Sequence, residues 1–329
     1  MNRVLPVIYG PTSSGKTDYA LSLSLSTNII SADSRQIYRY MDIGTGKDVG
    51  NAAFKNLNTP KIINKKIHWG YYYQFNSENP VKLWLLDLVN PSQSFSSVDW
   101  SLLTAYLINK YEDCMIVGGS GYYIKTLIDG IQNYNLNNNF ALRKKLEKLE
   151  LGKLQEILGD IWPDRLAKMN NSDRKNPRRL IRAIEIAQNK NSDKSMKFLN
   201  SVKVRGVYLV PDFEYLKTKI RSRAKDRLKK GLLDEIANLL KKGYKWDDPG
   251  MNTMGYKEFN HYFSSEKSKD ECFEEWVSDE IKYAKRQMLW FRDDKRFTKV
   301  FTAQKNKKSI KKEIASLFRE GISRDLSRA

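Results

Sequence analysis

The chain has 329 residues, 40% of them apolar, enough to bury a core in one large domain or two smaller ones. Two cysteines and two histidines exclude a disulfide framework and a zinc-ligand set, and no apolar run approaches the ~18 residues that cross a bilayer. The 58 Lys and Arg side chains against 38 Asp and Glu leave a net charge of +20.

That excess is uneven. Residues 1–100 carry ten basic and seven acidic groups, whereas residues 131–329 carry 46 and 28. A basic region of this size favours a polyanion such as RNA or DNA, although a Lys-rich proteome produces the same drift without one. Met1 leads into a strand pattern within a few residues and no charged-then-apolar leader precedes it, so a cytoplasmic protein with no membrane partner is expected.

The apolar run Leu5 to Tyr9 leads into Gly10-Pro11-Thr12-Ser13-Ser14-Gly15-Lys16-Thr17 and then a helical pattern reaching about Ser26. This is a complete G-x-x-x-x-G-K-[ST] phosphate loop in its strand-to-helix context. The glycines let successive N–H groups turn inward, Lys16 supplies a point charge, and Thr17 stands where its hydroxyl reaches a phosphate-bound Mg²⁺. A polyphosphate ligand is expected.

Asn28 to Ser31 reads as a second short buried strand, ending in Ala32-Asp33-Ser34-Arg35-Gln36. Strand and helix alternating in this way predict a doubly wound α/β sheet, in which strand ends meet the ligand. Asp33 is then a magnesium ligand, a general base, or the cap of a turn. Met41 to Lys47 is a tight glycine-bearing loop. Residues 49–82, with Ile67 to Tyr73, show no clean period and are expected to be a variable insertion. Leu83-Trp84-Leu85-Leu86-Asp87 is an apolar run closed by an acid, either the acid that backs a magnesium site or an ordinary strand end.

Val98 to Asn109 is helical, and the strand Cys114 to Val117 runs into Gly118-Gly119-Ser120-Gly121, a third glycine-rich strand end aimed at the phosphate site. Its amides and the Ser120 hydroxyl suit a developing negative charge. From about 131 to 190 the pattern is helical and polar, with helices expected at 140–149, 153–158 and 177–188. Val204 to Val210 and Phe297 to Phe301 restore strands. The expected fold is therefore α/β: a P-loop-containing parallel sheet flanked by helices, its core formed by residues 1–130 and 191–329, with a helical insertion domain at 131–190.

One long helix is expected from Tyr215 to about Lys242, carrying Arg221, Arg223, Arg227, Lys229 and Lys230. A last basic helix holds Ala284 to Arg292, where Arg and aromatic residues interleave as they do on nucleic-acid surfaces, or as on a solvated amphipathic face. Lys305 to Ala329 is polar and expected to fray.

Taken together, GPTSSGKT at 10–17, SADSRQIYRYMDIGTGK at 31–47, LLDLVNPSQSFS at 85–96, VGGSGYYIKTL at 117–127, PRRLIRAIE at 177–185, MGYKEF at 254–259 and AKRQMLWFR at 284–292 resemble the tRNA dimethylallyltransferase (tRNA isopentenyltransferase) family. The resemblance runs from residue 5 to about 300. It implies transfer of a dimethylallyl group from its diphosphate to N6 of the adenosine 3′ of the anticodon, with the phosphate loop holding an isoprenoid diphosphate rather than hydrolysing ATP. It also implies Asp33 as the base that takes the amine proton, Arg223 and Ser120 as further catalytic groups, residues 10–17 as the diphosphate site, and Thr17 as the Mg²⁺ contact.

The tRNA anticodon stem-loop would be gripped by the insertion and the basic helices. Ser34, Gln36, Arg178, Arg179, Arg182, Lys285, Arg286, Gln287, Trp290 and Arg292 are the positions implied, on a monomer. The chain departs from the family pattern at Ser120, where threonine is usual, and at Leu83-Trp84, where a histidine is common; residues 49–82 look longer than usual. The zinc finger of some eukaryotic members has no counterpart. The readings set against this one are a P-loop small-molecule or nucleotide kinase, an isopentenyltransferase acting on free adenine nucleotides, and a non-catalytic RNA-binding protein.

Overall fold

The computed structural model describes residues 3–23, 25–47, 49–50, 52–63, 67–75, 80–132, 140–188, 195–200, 202–303 and 305–326, those at 57–63, 67–70, 140 and 320–326 by backbone alone. Its strands are β1 (Arg3–Tyr9), β2 (Asn28–Ala32), β3 (Ala53–Ile63), β4 (Ile67–Phe75), β5 (Val81–Trp84), β6 (Cys114–Gly118), β7 (Val202–Val210) and β8 (Phe297–Phe301). They form one sheet in the order β3-β4-β5-β2-β6-β1-β7-β8. From β5 to β8 every pairing is parallel, with Ile8 opposite Val117 and Val207. Leu5, Val7, Ile8 and Tyr9 are fully buried, as both faces of a parallel strand must be when helices cover the sheet. β1, β6 and β2 lie side by side, so their carboxyl ends open onto one crevice.

The helices are α1 (Lys16–Leu23), α2 (Ser97–Lys110), α3 (Gly121–Asp129), α4 (Phe140–Leu146), α5 (Leu151–Ile161), α6 (Pro163–Lys168), α7 (Asn171–Arg174), α8 (Pro177–Gln188), α9 (Phe213–Lys229), α10 (Leu232–Lys241), α11 (Asn260–Phe263), α12 (Lys269–Gln287) and α13 (Lys307–Leu326). The chain divides into two compact units, one of Met1–Ile128 with Phe198–Ala329 and one of Asp129–Lys197. The smaller unit has its own core of Leu146, Leu154, Leu158, Met169, Leu180, Ile181 and Ile184. Its buried Glu185 accepts a two-pronged bond from Arg143 and a further one from Arg182 at 3.2 Å.

Two expectations change and two open readings become definite. Within 49–82, the segment expected to be a variable insertion, β3 and β4 are an antiparallel hairpin added to the sheet through β5. β3 is the edge strand, carries Pro60, and shifts register between Asn56 and Lys61, features that belong at an edge and erase the alternation a sequence pattern needs. The chain leaves β5 at Trp84, with Leu85 and Asp87 in left-handed conformations. Asp87 is buried, takes the Lys47 ammonium, and accepts the Tyr73 hydroxyl at 2.6 Å. Lys47 also donates to Tyr38 O at 2.5 Å and to Asp42 at 2.8 Å. Asp87 is therefore the ordinary strand-end acid, joining the hairpin to the 41–47 loop.

The long basic helix is two helices, broken at Gly231, whose φ is +96°. The C-terminal segment does not fray over the described residues. α13 sends Ile310, Ile314 and Phe318, four residues apart, into the main core beside Leu23, Val207, Leu209 and Val300. Ile314→Ala is expected to lower unfolding stability by about 2–5 kcal/mol in urea denaturation, because Ile314 is fully buried. A loss below ~0.5 kcal/mol would show that α13 is not docked.

Candidate active site

The crevice begins where β1 ends. A Cβ on Gly10 would lie 2.7 Å from the Ser14 hydroxyl and 3.2 Å from Leu209 Cβ, so a side chain there would crowd the loop. Ser13 (φ +63°) and Gly15 (φ +76°) curl the backbone, Ser14 N–H donates to Pro11 O at 3.3 Å, and α1 starts at Lys16. The loop amides thus gather at a helix N-terminus. The Ser14 hydroxyl is buried without a hydrogen-bond partner among the described residues, an omission that a phosphate oxygen would satisfy.

Lys16 Nζ donates to Pro11 O at 3.2 Å. Burial is the largest influence on it and takes its pKa down to about 8; Asp33 opposes that shift, Arg223 adds to it, and Glu280 opposes it. These four charged groups therefore share one site. Arg223 reaches the loop from α9, its Nη1 donating to Ser13 Oγ at 3.4 Å.

The ends of β2 and β6 meet even more tightly. A Cβ on Gly118 would lie 2.1 Å from Ala32 O, which excludes every residue but glycine. Ser120 N–H donates to Ala32 O at 3.0 Å, and Ser34 N–H donates to Ser120 Oγ at 2.9 Å. Asp33 Oδ1 accepts from the N–H groups of Arg35 at 2.8 Å and Gln36 at 3.3 Å. The turn-capping and chemical readings of Asp33 are compatible, since one oxygen caps the turn and Oδ2 has no hydrogen-bond partner among the described residues. Tyr283 adjoins them: burial, then the Asp33 charge, raises its hydroxyl to about 12, and a hydrogen bond from Ser120 works the other way.

Two helical side chains lock this frame. Gln287, at the end of α12, accepts Thr12 N–H on Oε1 and donates from Nε2 to Gly119 O, both at 2.8 Å. Glu235, in α10, accepts Asp42 N–H and Ile43 N–H at 2.8 Å on one oxygen, and Gly44 N–H at 3.1 Å and the Tyr256 hydroxyl at 2.6 Å on the other. Glu280 is 5% exposed; its Oε1 accepts the Thr12 hydroxyl at 3.2 Å and faces Arg227 Nη1 at 3.5 Å, while Oε2 is buried without a hydrogen-bond partner among the described residues. Arg227 in turn donates to Gly44 O at 3.3 Å.

The model of IPP transferases matches residues 74–294 and that of isopentenyl transferases residues 3–89. The chain belongs to the IPP transferase family. It is 34% identical to tRNA dimethylallyltransferase 2 of Bacteroides fragilis over 298 residues, 88% of each chain, and 33% identical to the tRNA dimethylallyltransferase of Clostridioides difficile over 303 residues, again 88% of each. Its fold is similar to the tRNA isopentenylpyrophosphate transferase of Bacillus halodurans, at 26% identity with a TM-score of 0.67 over the whole of both chains. A eukaryotic dimethylallyltransferase acting on tRNA shares the fold at 20% identity, with a TM-score of 0.70 over 99% of this chain and 80% of that one.

Within this IPP transferase, residues 10–17, Asp33, Ser34, Ser120 and Arg223 come together around one crevice. Lys285, Arg286, Trp290 and Arg292 are exposed at and beyond the end of α12, and Trp290 covers Gly121. Arg178 and Arg179 are exposed in the separate helical unit, where Arg179 pairs with Asp173, and half-buried Arg182 faces Glu185. The Gln36 amide nitrogen donates to Gly46 O at 3.0 Å and to Thr45 O at 3.4 Å, and Gln287 is 3% exposed with both amide atoms hydrogen-bonded within the protein. Glu235 and Glu280 have no local sequence signal, because nothing near them marks a carboxylate that will meet a loop 191 or 268 residues earlier.

Because burial lowers Lys16, it is charged in the free protein below about pH 8 and loses its charge above it. Binding of inorganic diphosphate is expected to weaken as pH rises through about 8, measured by titration calorimetry. Affinity that stays flat to pH 9.5 would remove Lys16 from the site.

Proposed function

We propose that this chain transfers a dimethylallyl group from dimethylallyl diphosphate to N6 of the adenosine immediately 3′ of the anticodon in tRNA, releasing diphosphate. The observation that carries the reading is the meeting of Lys16 with Arg223 and Asp33 at a phosphate loop, within a chain of this family. The leaving diphosphate would take the loop amides, Ser13, Ser14, Lys16 and Arg223. As the N6 lone pair forms the new bond to the allylic carbon, the carbon–oxygen bond breaks and its electrons pass to the diphosphate. The adenine amine is a poor nucleophile until its proton leaves, and the Asp33 carboxylate, which acts on Lys16 from the end of β2, is the acceptor for it. Ser120 holds the Ser34 amide and Tyr283, and so shapes the wall beside that carboxylate.

The donor set suits a magnesium ion carried by the diphosphate. Thr17 is in place at the start of α1, and the orphaned oxygens of Ser14 and Glu280 mark the cradle as built for charge that the protein alone does not supply. Among the described residues no three His, Cys, Asp or Glu side chains group as a metal cage, which suits an ion held mainly by phosphate oxygens and water. Mg²⁺ would offset the charge that grows on the leaving group. The acceptor base must be unstacked from its loop. Ser34 lines the entry, Lys285, Arg286, Trp290 and Arg292 offer cations and a ring, and Arg178, Arg179 and Arg182 give the helical unit a basic face for the same RNA. The protein would act as a cytoplasmic monomer; among the described residues no helix is long and apolar enough to cross a membrane.

Transfer from radiolabelled dimethylallyl diphosphate to unmodified tRNA tests this. Asp33→Ala is expected to lower kcat by about 10²- to 10⁴-fold while inorganic diphosphate still binds. Arg223→Ala is expected to weaken diphosphate binding as well. Phosphorylation of a small acceptor by ATP, with no label in tRNA, would overturn the proposal in favour of a kinase.

A further inference from the structure

Outside the phosphate cradle, the described surface carries a strip of rings and cations that the proposed chemistry does not use. Phe54 on β3 is 50% exposed and lies 4.8 Å from Tyr71 on β4, centroid to centroid. The Arg39 guanidinium sits 5.8 Å from the Tyr71 ring, and the next residue, Tyr40, is 48% exposed with Lys242 5.1 Å from its own ring. Burial raises the hydroxyls of Tyr71 and Tyr244, and Tyr40 adds to both, which places the three rings in one patch. A cavity of about 390 Å³ opens beside Tyr40, lined in part by Ile43, Lys230, Asp234, Asn238 and Lys242. Its other acid, Glu235, is saturated by backbone amides and Tyr256.

Tyr40 has φ +66°, a left-handed conformation that side chains bearing a Cβ adopt reluctantly. A ring left half in solvent recovers little by burial for that strain, so the strain points to a contact outside the chain. Rings alternating with cations are the surface on which unpaired bases stack while their phosphates are neutralised. Tyr40 is seven residues from Asp33, no more than ~25 Å even along an extended chain, so nucleotides flanking the acceptor base are within reach.

We propose that the strip from Phe54 through Tyr71 and Arg39 to Tyr40 and Lys242 is a stacking platform for unpaired bases of the RNA substrate, with Lys230 and Lys242 facing the phosphates. The proposal rests on the reading of the chain as a tRNA-modifying enzyme. It adds a second RNA contact, built by the edge hairpin and the end of α10.

Fluorescence anisotropy with an unmodified anticodon stem-loop at fixed salt tests it, together with melting temperature and steady-state transfer. Tyr40→Gly, which fits the left-handed position, is expected to keep or raise the melting temperature, weaken RNA binding about 5- to 100-fold and raise KM for RNA, with kcat at saturating RNA unchanged. Tyr40→Phe is expected to bind within ~2-fold of wild type, and Lys242→Met to flatten the salt dependence. Wild-type RNA affinity in Tyr40→Gly overturns the platform, as does a change in self-association with RNA affinity untouched. Should Tyr40→Gly not fold, Phe54→Ser tests the same strip from another strand, and unchanged affinity overturns it there. Failure of the wild-type protein to bind any RNA would overturn the underlying function instead.

Discussion

The buried amide of Gln287 holds two glycine-bearing strand ends at one separation. It takes an N–H from the phosphate loop at Thr12 and returns one to Gly119 O, so the turn after β1 and the turn after β6 cannot move apart without leaving two buried polar groups unsatisfied. The Tyr9 hydroxyl donates to the backbone carbonyl of the same residue, extending the tie to β1 itself. The glycines make this closeness possible, since side chains at Gly10, Gly118 or Gly119 would each collide with a neighbour. Everything that faces the crevice inherits its position from that clamp.

Charge is arranged around the same frame. Lys16, Arg223 and Arg227 bring positive charge to one crevice, and without counter-charge those cations would repel one another. Asp33 and Glu280 stand among them and oppose the loss of charge on Lys16 that burial causes. Glu280 also couples the phosphate loop, through Arg227, to the carbonyl of Gly44. The 41–47 loop is held from the other side by Glu235, whose two oxygens accept three consecutive amides, and from below by the buried Lys47 between Asp42 and Asp87. The phosphate loop and the 41–47 loop are thus joined by charged hydrogen bonds, which have direction and geometry that burial alone does not supply.

Much of the site was legible because its chemistry is local. A phosphate loop needs its glycines, lysine and hydroxyl within eight residues, and Asp33 and Ser120 follow directly from short buried strands, so periodicity and spacing find them. What Gln287 holds is not legible in this way, because its amide atoms meet loops 275 and 168 residues away in the chain. The edge hairpin was missed because a strand with one partner, a proline and a register shift keeps no alternation to detect. α13 was read as a frayed tail because Ile310, Ile314 and Phe318 are few among many lysines, and only their four-residue spacing marks a buried stripe.

By itself the sequence determined the parallel core strands, the phosphate loop, the acid after β2, the helical character of residues 140–188 and the basic surplus of the second half. Each depends on neighbouring residues: backbone freedom at glycine, apolar runs, and the sum of charges. Tertiary structure decided which partners each acid meets. Asp87 went to Lys47, Glu235 to three amides and Tyr256, Glu280 to Thr12 and Arg227 through one oxygen, and Asp33 to the Arg35 and Gln36 amides through one oxygen. A carboxylate's role is set by the partners that satisfy it once water is excluded, and those partners arrive from segments far apart in the chain.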